Sequence, residues 1–160
     1  MPVGNDYEIS SEGAVRHWEV PYARLTDTTP AVGDPAEMTA ITAGTEVGGT
    51  VLAIDPVVSR AVVDFTCGMV YKHYVRNVLT YNVGVAELTW GVIAIGNRVY
   101  YDNSASMPAD VYLSTSPLDL TGAANSLFGT VVFSNQVTLP TTTATAATEE
   151  IPIMQRGSGA

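Results

Sequence analysis

The chain has 160 residues and a formal net charge of -9, from 16 acidic and 7 basic residues. Only 14% of its residues are charged, against roughly 25% in an average soluble domain. The scarcity of cations excludes binding to a phosphate backbone through counterion release, and the excess of acids excludes attraction to an anionic membrane surface. Because 46% of the residues are hydrophobic, we expect a folded, acidic protein that binds neither nucleic acid nor membrane.

Residues 1–33 predict an extended N-terminal arm that precedes the folded core. Trp18, Val20 and Tyr22 alternate with other residues, among them Pro21, and this alternation gives an extended segment one apolar face. Because proline cannot donate a hydrogen bond to a strand ladder, Pro21 limits the segment to an edge strand or an isolated strand.

The segment Asp34–Glu37 follows the arm and allows two interpretations. Its Asp, Pro and Glu stand at the N-cap, first and third positions of a short helical turn, which resembles a capping box, and Gly44 can end such a turn. A plain loop that leads to Val47 fits the same residues equally well.

Residues 34–137 form the predicted core domain, and their apolar pattern is that of short β-strands. From Val47 onward apolar and polar residues alternate, and turn residues interrupt the alternation about every 8 to 12 positions. The spacing predicts a mainly β fold, a small antiparallel barrel or sandwich that carries an extended N-terminal arm and a C-terminal tail. The predicted strand segments are residues 57–65, 75–83, 99–101, 111–113 and 127–133.

Residues 138–160 predict a Thr/Ala-rich C-terminal tail. Apart from Leu139, the segment 138–148 contains no residue that would form a core. Ile151, Ile153 and Met154 then form a short apolar hook after two glutamates.

The residue types that carry chemistry form no catalytic or metal-binding motif. Serine-hydrolase, zinc-protease, phosphate-loop and dinucleotide-binding patterns are missing from the sequence. Asp102 and Asp110 flank polar residues with oxygen atoms, but the spacing is not that of an EF-hand and favours a polar turn. Cys67 lies in an apolar setting that predicts a buried, inert thiol. We therefore predict no enzyme activity, no catalytic residue, no metal site and no cofactor.

One basic cluster stands out, formed by Lys72, His73 and Arg76 beside Tyr71 and Tyr74. Basic and aromatic residues together are typical of platforms for single-stranded nucleic acid, but two certain cations are too few in so acidic a chain. The cluster is better interpreted as a docking point for an acidic protein partner, or as unrelated surface residues. His73 is expected at the surface or half packed.

The segment Thr89–Asp102, TWGVIAIGNRVYYD, resembles a segment of tailed-phage capsid cement (decoration) proteins. In both, an apolar residue is followed by a glycine turn and by a strand that reads Val-Tyr-aromatic-Asp. Leu127–Val132 resembles the closing strand of that family, and Ala61–Gly68 and Asn82–Ala86 resemble its glycine-interrupted strands. The resemblance covers roughly residues 40–133.

The resemblance implies a small β protein on the outer surface of a phage head, made in the host cytoplasm and commonly trimeric. Such a protein binds the major capsid protein and stabilises contacts between its subunits, and aromatic residues and methionine are enriched at interfaces of this kind. The expected capsid contacts are Trp18, Val20, Tyr22 and Leu25 in the arm, with Ile151, Ile153 and Met154 in the tail binding the capsid or a sister subunit.

Three alternatives remain open. Both terminal segments can fold back on the β core of their own chain, or on a sister subunit, without contacting a capsid. An extracellular β module of a fibre or glycan-binding protein would present aromatic rings, for which Tyr71, Tyr74 and Tyr81 are candidates. A hydrolase would need a site assembled from scattered aspartates and glutamates.

Overall fold

A computed structural model describes residues 7–10, 16–39, 47–76, 80–82, 85–87, 93–102, 107, 110–119, 121–133 and 150–157. These residues contain thirteen β-strands, a three-residue 3-10 turn at Tyr22–Arg24, and no α-helix. The predicted mainly β fold class is therefore confirmed. The chain forms two compact units, the first made of Met1–Met69 with Gln155–Ala160 and the second of Val70–Met154.

All the described strands are short, with lengths between two and nine residues. Many of their residues are Val, Ile, Thr or Tyr, whose side chains pack well on a pleated surface. In chain order they are β1 (Tyr7–Ser10), β2 (His17–Pro21), β3 (Pro35–Met38), β4 (Val47–Asp55), β5 (Arg60–Asp64), β6 (Val70–His73), β7 (Val75–Arg76), β8 (Thr80–Asn82), β9 (Val85–Glu87), β10 (Arg98–Tyr101), β11 (Leu113–Ser114), β12 (Ser126–Val131) and β13 (Ile151–Gln155).

The first unit is built on a five-stranded antiparallel sheet with the strand order β1-β2-β5-β4-β3. Strand β2 therefore lies inside the sheet, and the predicted edge or isolated strand is wrong. Pro21 is tolerated because it is the last residue of β2. The core on one side of the sheet consists of Val20, Leu25, Ala36, Val51, Ala61, Val63 and Phe65.

The segment Asp34–Glu37 forms neither the helical turn nor the plain loop that its sequence allows. Residues from Pro35 onward pair with β4 as strand β3, and Ala36 is buried there. The Asp34 carboxylate accepts a hydrogen bond from the backbone N–H of Ala31, which precedes it, instead of capping a helix. Sheet pairing and burial outweigh the local capping signal, as tertiary contacts often do. Gly44 lies outside the described residues.

The end of the chain returns to the first unit through a buried glutamine. The Gln155 side chain donates from Nε2 to the backbone carbonyls of Asp64, at 2.8 Å, and Thr66, at 3.0 Å. Its Oε1 accepts a hydrogen bond of 3.0 Å from the Thr50 hydroxyl. Because Gln155 is 1% exposed, these bonds satisfy an amide group that would otherwise be costly to bury.

Gly157, two residues later, is required by its backbone conformation and its surroundings. Its φ angle is +62°, in the left-handed region that favours glycine. A Cβ atom at this position would collide with the backbone carbonyl of Phe65 and with the backbone N of Cys67. The docking of the C-terminal residues on the first unit is therefore specific at both Gln155 and Gly157.

The second unit contains a six-stranded sheet with the strand order β6-β13-β12-β10-β11-β7. Its two outermost strands, β6 and β7, are separated in the chain by Tyr74 alone. The sheet consequently curls round on itself into a nearly closed, barrel-like form, which leaves short edges. Strands β8 and β9 form a separate two-stranded sheet, and the core consists of Val75, Ile93, Val99, Tyr101, Val111, Leu113, Phe128, Val131, Ile151 and Ile153.

The observed division differs from the predicted arm at 1–33, core at 34–137 and tail at 138–160. Residues from both predicted extensions complete the cores, because β2 belongs to the sheet of the first unit and β13 to the sheet of the second. The predicted strand at 75–83 is two separate elements, β7 and β8. The segment 138–148 and residues 1–6 and 11–15 lie outside the described residues.

Candidate interaction surface

The turn between β4 and β5 exposes several apolar side chains next to one another. The two strands end at the facing pair Asp55 and Arg60, and the four residues between them form the turn. Val57 is 92% exposed and Val58 is 58% exposed, while Ile54 at the end of β4 is 37% exposed. We call Ile54–Ser59 the β4–β5 tip.

The β4–β5 tip is held by one hydrogen bond within the tip and by one to the 3-10 turn at Tyr22–Arg24. The Asp55 carboxylate accepts a hydrogen bond of 3.1 Å from the backbone N–H of Val57. The carbonyl of Ser59 accepts a hydrogen bond of 2.8 Å from the backbone N–H of Tyr22. Ser59 has a φ angle of +54°, an uncommon conformation for a residue with a side chain, which reverses the chain at this point. The exposed valines are thus presented on a fixed loop.

A shallow groove of about 200 Å³ adjoins the β4–β5 tip on the face of the sheet. It contains an ion pair in which Arg60 Nε donates to Glu19 Oε1 at 2.8 Å. Both side chains are partly exposed, so the pair contributes little to stability. The groove is lined by Glu19, Ala53, Ile54, Asp55, Arg60, Ala61 and Val62. The apolar tip therefore lies beside a groove of mixed character, in which the Arg60–Glu19 ion pair adjoins Ala53, Ile54, Ala61 and Val62; apolar side chains with polar groups around them are the composition of a protein interface.

Sequence reasoning missed the β4–β5 tip because it placed Val57 within a predicted strand at residues 57–65. The observed strand β5 begins at Arg60. The signal that could have located the turn is the pair Asp55-Pro56, since both residue types favour turns. Two valines directly after such a turn signal are more simply explained as exposed turn residues than as strand residues.

The predicted contacts of the N-terminal arm are packed in the first unit. Val20 and Leu25 are 0% and 1% exposed and belong to its core, so a capsid contact through these two side chains is wrong. Trp18 and Tyr22 are half-buried and pack against the same core. The apolar face that we predicted to bind a partner is the face of β2 that packs against the core of its own chain. This agrees with the alternative in which the N-terminal segment folds back on its own β core.

The predicted contacts of the C-terminal tail have two different environments in the second unit. Ile151 and Ile153 are 3% and 0% exposed and belong to the core of the second unit, so neither presents an exposed side chain to a capsid. Their predicted alternative role, binding to a sister subunit, stays a prediction. Met154 is 40% exposed. It faces the 44% exposed Val70 of β6 across the strand pair, and a contact through Met154 stays a prediction.

The basic cluster is not a cationic surface. Arg76 is 0% exposed, and its Nη2 atom lies 3.3 Å from Oδ2 of the buried Asp102. Asp102 is therefore the partner of an internal ion pair and not part of an exposed polar turn, while Asn103 and Ser104 lie outside the described residues. Of the three basic residues, only Lys72 is exposed, so a docking point made of all three is wrong.

His73 is also buried, contrary to the expected surface or half-packed position. Its ring meets the ring of Phe128 edge-on, with the ring centres 5.6 Å apart. Burial lowers the pKa of His73 to about 4, because an apolar environment disfavours the charged imidazolium. The residue is therefore a neutral core side chain at neutral pH.

The aromatic residues proposed for glycan binding do not form an exposed platform among those described. Tyr71 and Tyr74 are both half-buried, and Tyr74 packs against the core of the second unit. The side chain of Tyr81 lies outside the described residues. Cys67 is exposed and not buried as predicted, because it follows β5 in a turn instead of lying within a strand.

The described part of the chain contains no group of three or more His, Cys, Asp or Glu side chains arranged to hold a metal ion. None of its helices has the length and apolar character needed to cross a membrane.

Comparison of the chain with protein-family models, with curated proteins and with solved structures found no significant match. The segment Thr89–Val92, which begins the resemblance to cement proteins, lies outside the described residues.

Proposed function

We propose that the protein is a non-enzymatic capsid decoration protein that binds the outer surface of a phage head as a homotrimer. In this role it holds neighbouring subunits of the major capsid protein together. The observation that carries the proposal is the anchored, apolar β4–β5 tip, in which Val57 is 92% exposed. Its support from sequence is the resemblance of roughly residues 40–133 to cement proteins.

The β4–β5 tip has the properties of a contact made by a rigid loop. Its backbone is fixed by hydrogen bonds to Asp55 and Tyr22, so little conformational entropy is lost when a partner covers it. Burying one valine side chain contributes about 1.5 to 3 kcal/mol. The two exposed valines together can thus supply apolar burial to a small interface.

The proposed mechanism of stabilisation is thermodynamic linkage. A protein that binds the assembled shell but not its separated subunits stabilises the shell, by about 4 kcal/mol per site at a concentration 1,000 times the Kd. A trimer presents three β4–β5 tips, and their simultaneous binding raises avidity by about 100-fold or more. No catalytic group is needed for this function.

The test is co-sedimentation of the full chain with undecorated heads of the phage whose genome encodes it. The wild type should bind, and the double variant Val57→Asp, Val58→Asp should bind at least about 30-fold more weakly, which corresponds to about 2 kcal/mol. The control is Val32→Asp, which places one negative charge, half of that added to the tip, on another exposed valine of the first unit and should bind like the wild type.

Two results would count against the proposal, one against the decoration function and the other against the β4–β5 tip as the contact. If the wild type does not bind the heads, the decoration function is refuted. If the wild type and the tip variant bind equally well, decoration stands but the β4–β5 tip is not the contact.

A further inference from the structure

The groove beside the β4–β5 tip lies on the outward face of three neighbouring strands. Arg60 on β5 faces Asp55 on β4 across the strand pair, and Val62 on β5 lies between Glu19 on β2 and Ala53 on β4. On β2 and β5 these residues alternate with buried residues of the first unit's core, so their side chains point away from that core. The groove is therefore open to a partner without any change in the core.

The lining of the groove combines aliphatic and charged side chains. Of its seven residues, four are Ala, Ile or Val and three are charged. Its volume of about 200 Å³ is below the ~300 to 1,000 Å³ of a small-molecule pocket and is on the scale of a single side chain. A side chain that fits such a lining has an aliphatic stem and a charged head, as lysine and arginine have.

The charged groups of the groove do not balance. Glu19 and Asp55 supply two carboxylates, and Arg60 supplies one guanidinium. Arg60 is held toward β2, because its Nε donates to Glu19 Oε1 at 2.8 Å and its Nη2 donates to the Glu19 backbone carbonyl at 3.3 Å. The groove thus carries an excess of one formal negative charge, in a chain whose formal net charge is -9. Both the local charge and the field of the whole chain attract a cation to this site.

The groove is continuous with the β4–β5 tip, since Ile54 and Asp55 belong to both. The Asp55 carboxylate accepts the hydrogen bond from the backbone N–H of Val57, which fixes the carboxylate beside the exposed valines. A partner that buries Val57 and Val58 therefore brings its neighbouring residues to the groove. A charged contact at the rim of an apolar one determines specificity and association rate more than affinity.

We propose that the groove receives one basic side chain, a lysine or an arginine, of the protein that covers the β4–β5 tip. Its stem packs on the aliphatic lining, and its cationic head lies at the carboxylates of Glu19 and Asp55. This inference rests on the proposed function, in which that protein is the major capsid protein, and adds the chemistry of the residue that the capsid presents. A second copy of this chain is disfavoured as the occupant, because two chains of net charge -9 repel each other.

The first test compares two full-length variants in co-sedimentation with undecorated heads, in about 50 mM and about 500 mM NaCl. Asp55→Asn removes one charge, while the amide oxygen of asparagine can still accept the Val57 hydrogen bond. The matched control is Asp110→Asn, which removes the same charge from an exposed residue of the second unit. We expect Asp55→Asn to bind at least about 3-fold more weakly than the control at low salt, and equally at high salt, where exposed charges are screened.

A second pair of variants separates the charge in the groove from the filling of the groove. Ala53→Lys and Ala53→Gln both add a long side chain at an exposed residue of the lining, but only lysine repels a basic side chain. We expect Ala53→Lys to bind at least about 10-fold more weakly than Ala53→Gln at low salt. This difference should also disappear at high salt.

The outcomes distinguish this inference from the proposed function. If the wild type binds but the members of either pair bind equally at low salt, the basic side chain is overturned and the decoration function stands. Tighter binding of Ala53→Lys than of Ala53→Gln would overturn it as well, because the capsid would then present an acidic residue to the groove. If the wild type does not bind the heads, the decoration function is refuted, and the capsid residue inferred from it is refuted with it.

Discussion

His73 should make the stability of the protein depend on pH in a range where few buried groups titrate. In the folded chain its pKa is lowered from 6.5 to about 4 by burial. Between these values the unfolded chain binds a proton at His73 and the folded chain does not. The free energy of unfolding is therefore unaffected by protonation of His73 above pH 6.5. It decreases as the pH falls from 6.5 toward 4, because proton binding at His73 in the unfolded chain favours unfolding.

The size of this effect follows from the two pKa values. Each pKa unit corresponds to about 1.4 kcal/mol, so the complete shift amounts to roughly 3 kcal/mol, of which about 2 kcal/mol is already lost at pH 5. Urea unfolding at pH 7.5, 6.5, 5.5 and 5.0 measures the free energy of unfolding for the wild type and for His73→Leu. The leucine keeps a buried apolar side chain beside Phe128 but cannot titrate.

The difference between the two proteins is the decisive quantity, because other titrating groups affect both in the same way. We expect the wild type to lose about 2 kcal/mol more than His73→Leu between pH 7.5 and pH 5.0. Parallel pH profiles for the wild type and His73→Leu would refute the argument, as would protonation of His73 near pH 6.5 in an NMR titration.

Two further predictions concern buried polar groups, and both are measured by urea unfolding at pH 7.5. Gln155→Leu should destabilise the protein by about 2 to 5 kcal/mol, because it leaves two carbonyls and a hydroxyl without their buried partner. The control is Met154→Leu at the exposed neighbouring residue, which should change stability by less than about 0.5 kcal/mol. Equal effects of the two variants would contradict the role of Gln155. Arg76→Met should cost about 3 to 5 kcal/mol, because Asp102 stays buried without its cation, and adding Asp102→Leu should restore a large part of that loss. If the double variant is as unstable as the sum of the single variants, the Arg76–Asp102 pair does not act as a unit.

The alternation of apolar residues was sufficient to predict the mainly β fold class. It marks Val20, Ala61 and Val63, which are buried, but it marks Val57 equally, which is 92% exposed. The pattern could not tell whether an apolar face meets the chain's own core or a partner. Trp18, Val20 and Ile153 have the same sequence signature in either case, because burial by the same chain and burial by another protein involve the same side-chain chemistry.

Other features escaped the sequence because they depend on contacts distant along the chain. Gln155 bonds to Asp64 and Thr66 across about 90 residues, and no local pattern marks such a partnership. Arg76 and Asp102 were interpreted as surface residues because charged side chains are rarely fully buried. Their burial is possible only because the barrel-like sheet places them together.

The burial of Arg76 also changes how the chain's charge bears on its partner. The seven basic residues are already few, and Arg76 is enclosed with Asp102 while Arg60 is paired with Glu19. Arg24 is half-buried, and the cations that remain exposed are Arg16, Lys72, Arg98 and Arg156, spread over the two units. A surface so poor in cations cannot rely on opposite charge to hold an acidic partner, because isolated exposed ion pairs contribute little. In the proposed function, affinity for the capsid therefore rests on apolar burial at the β4–β5 tip and not on exposed cations.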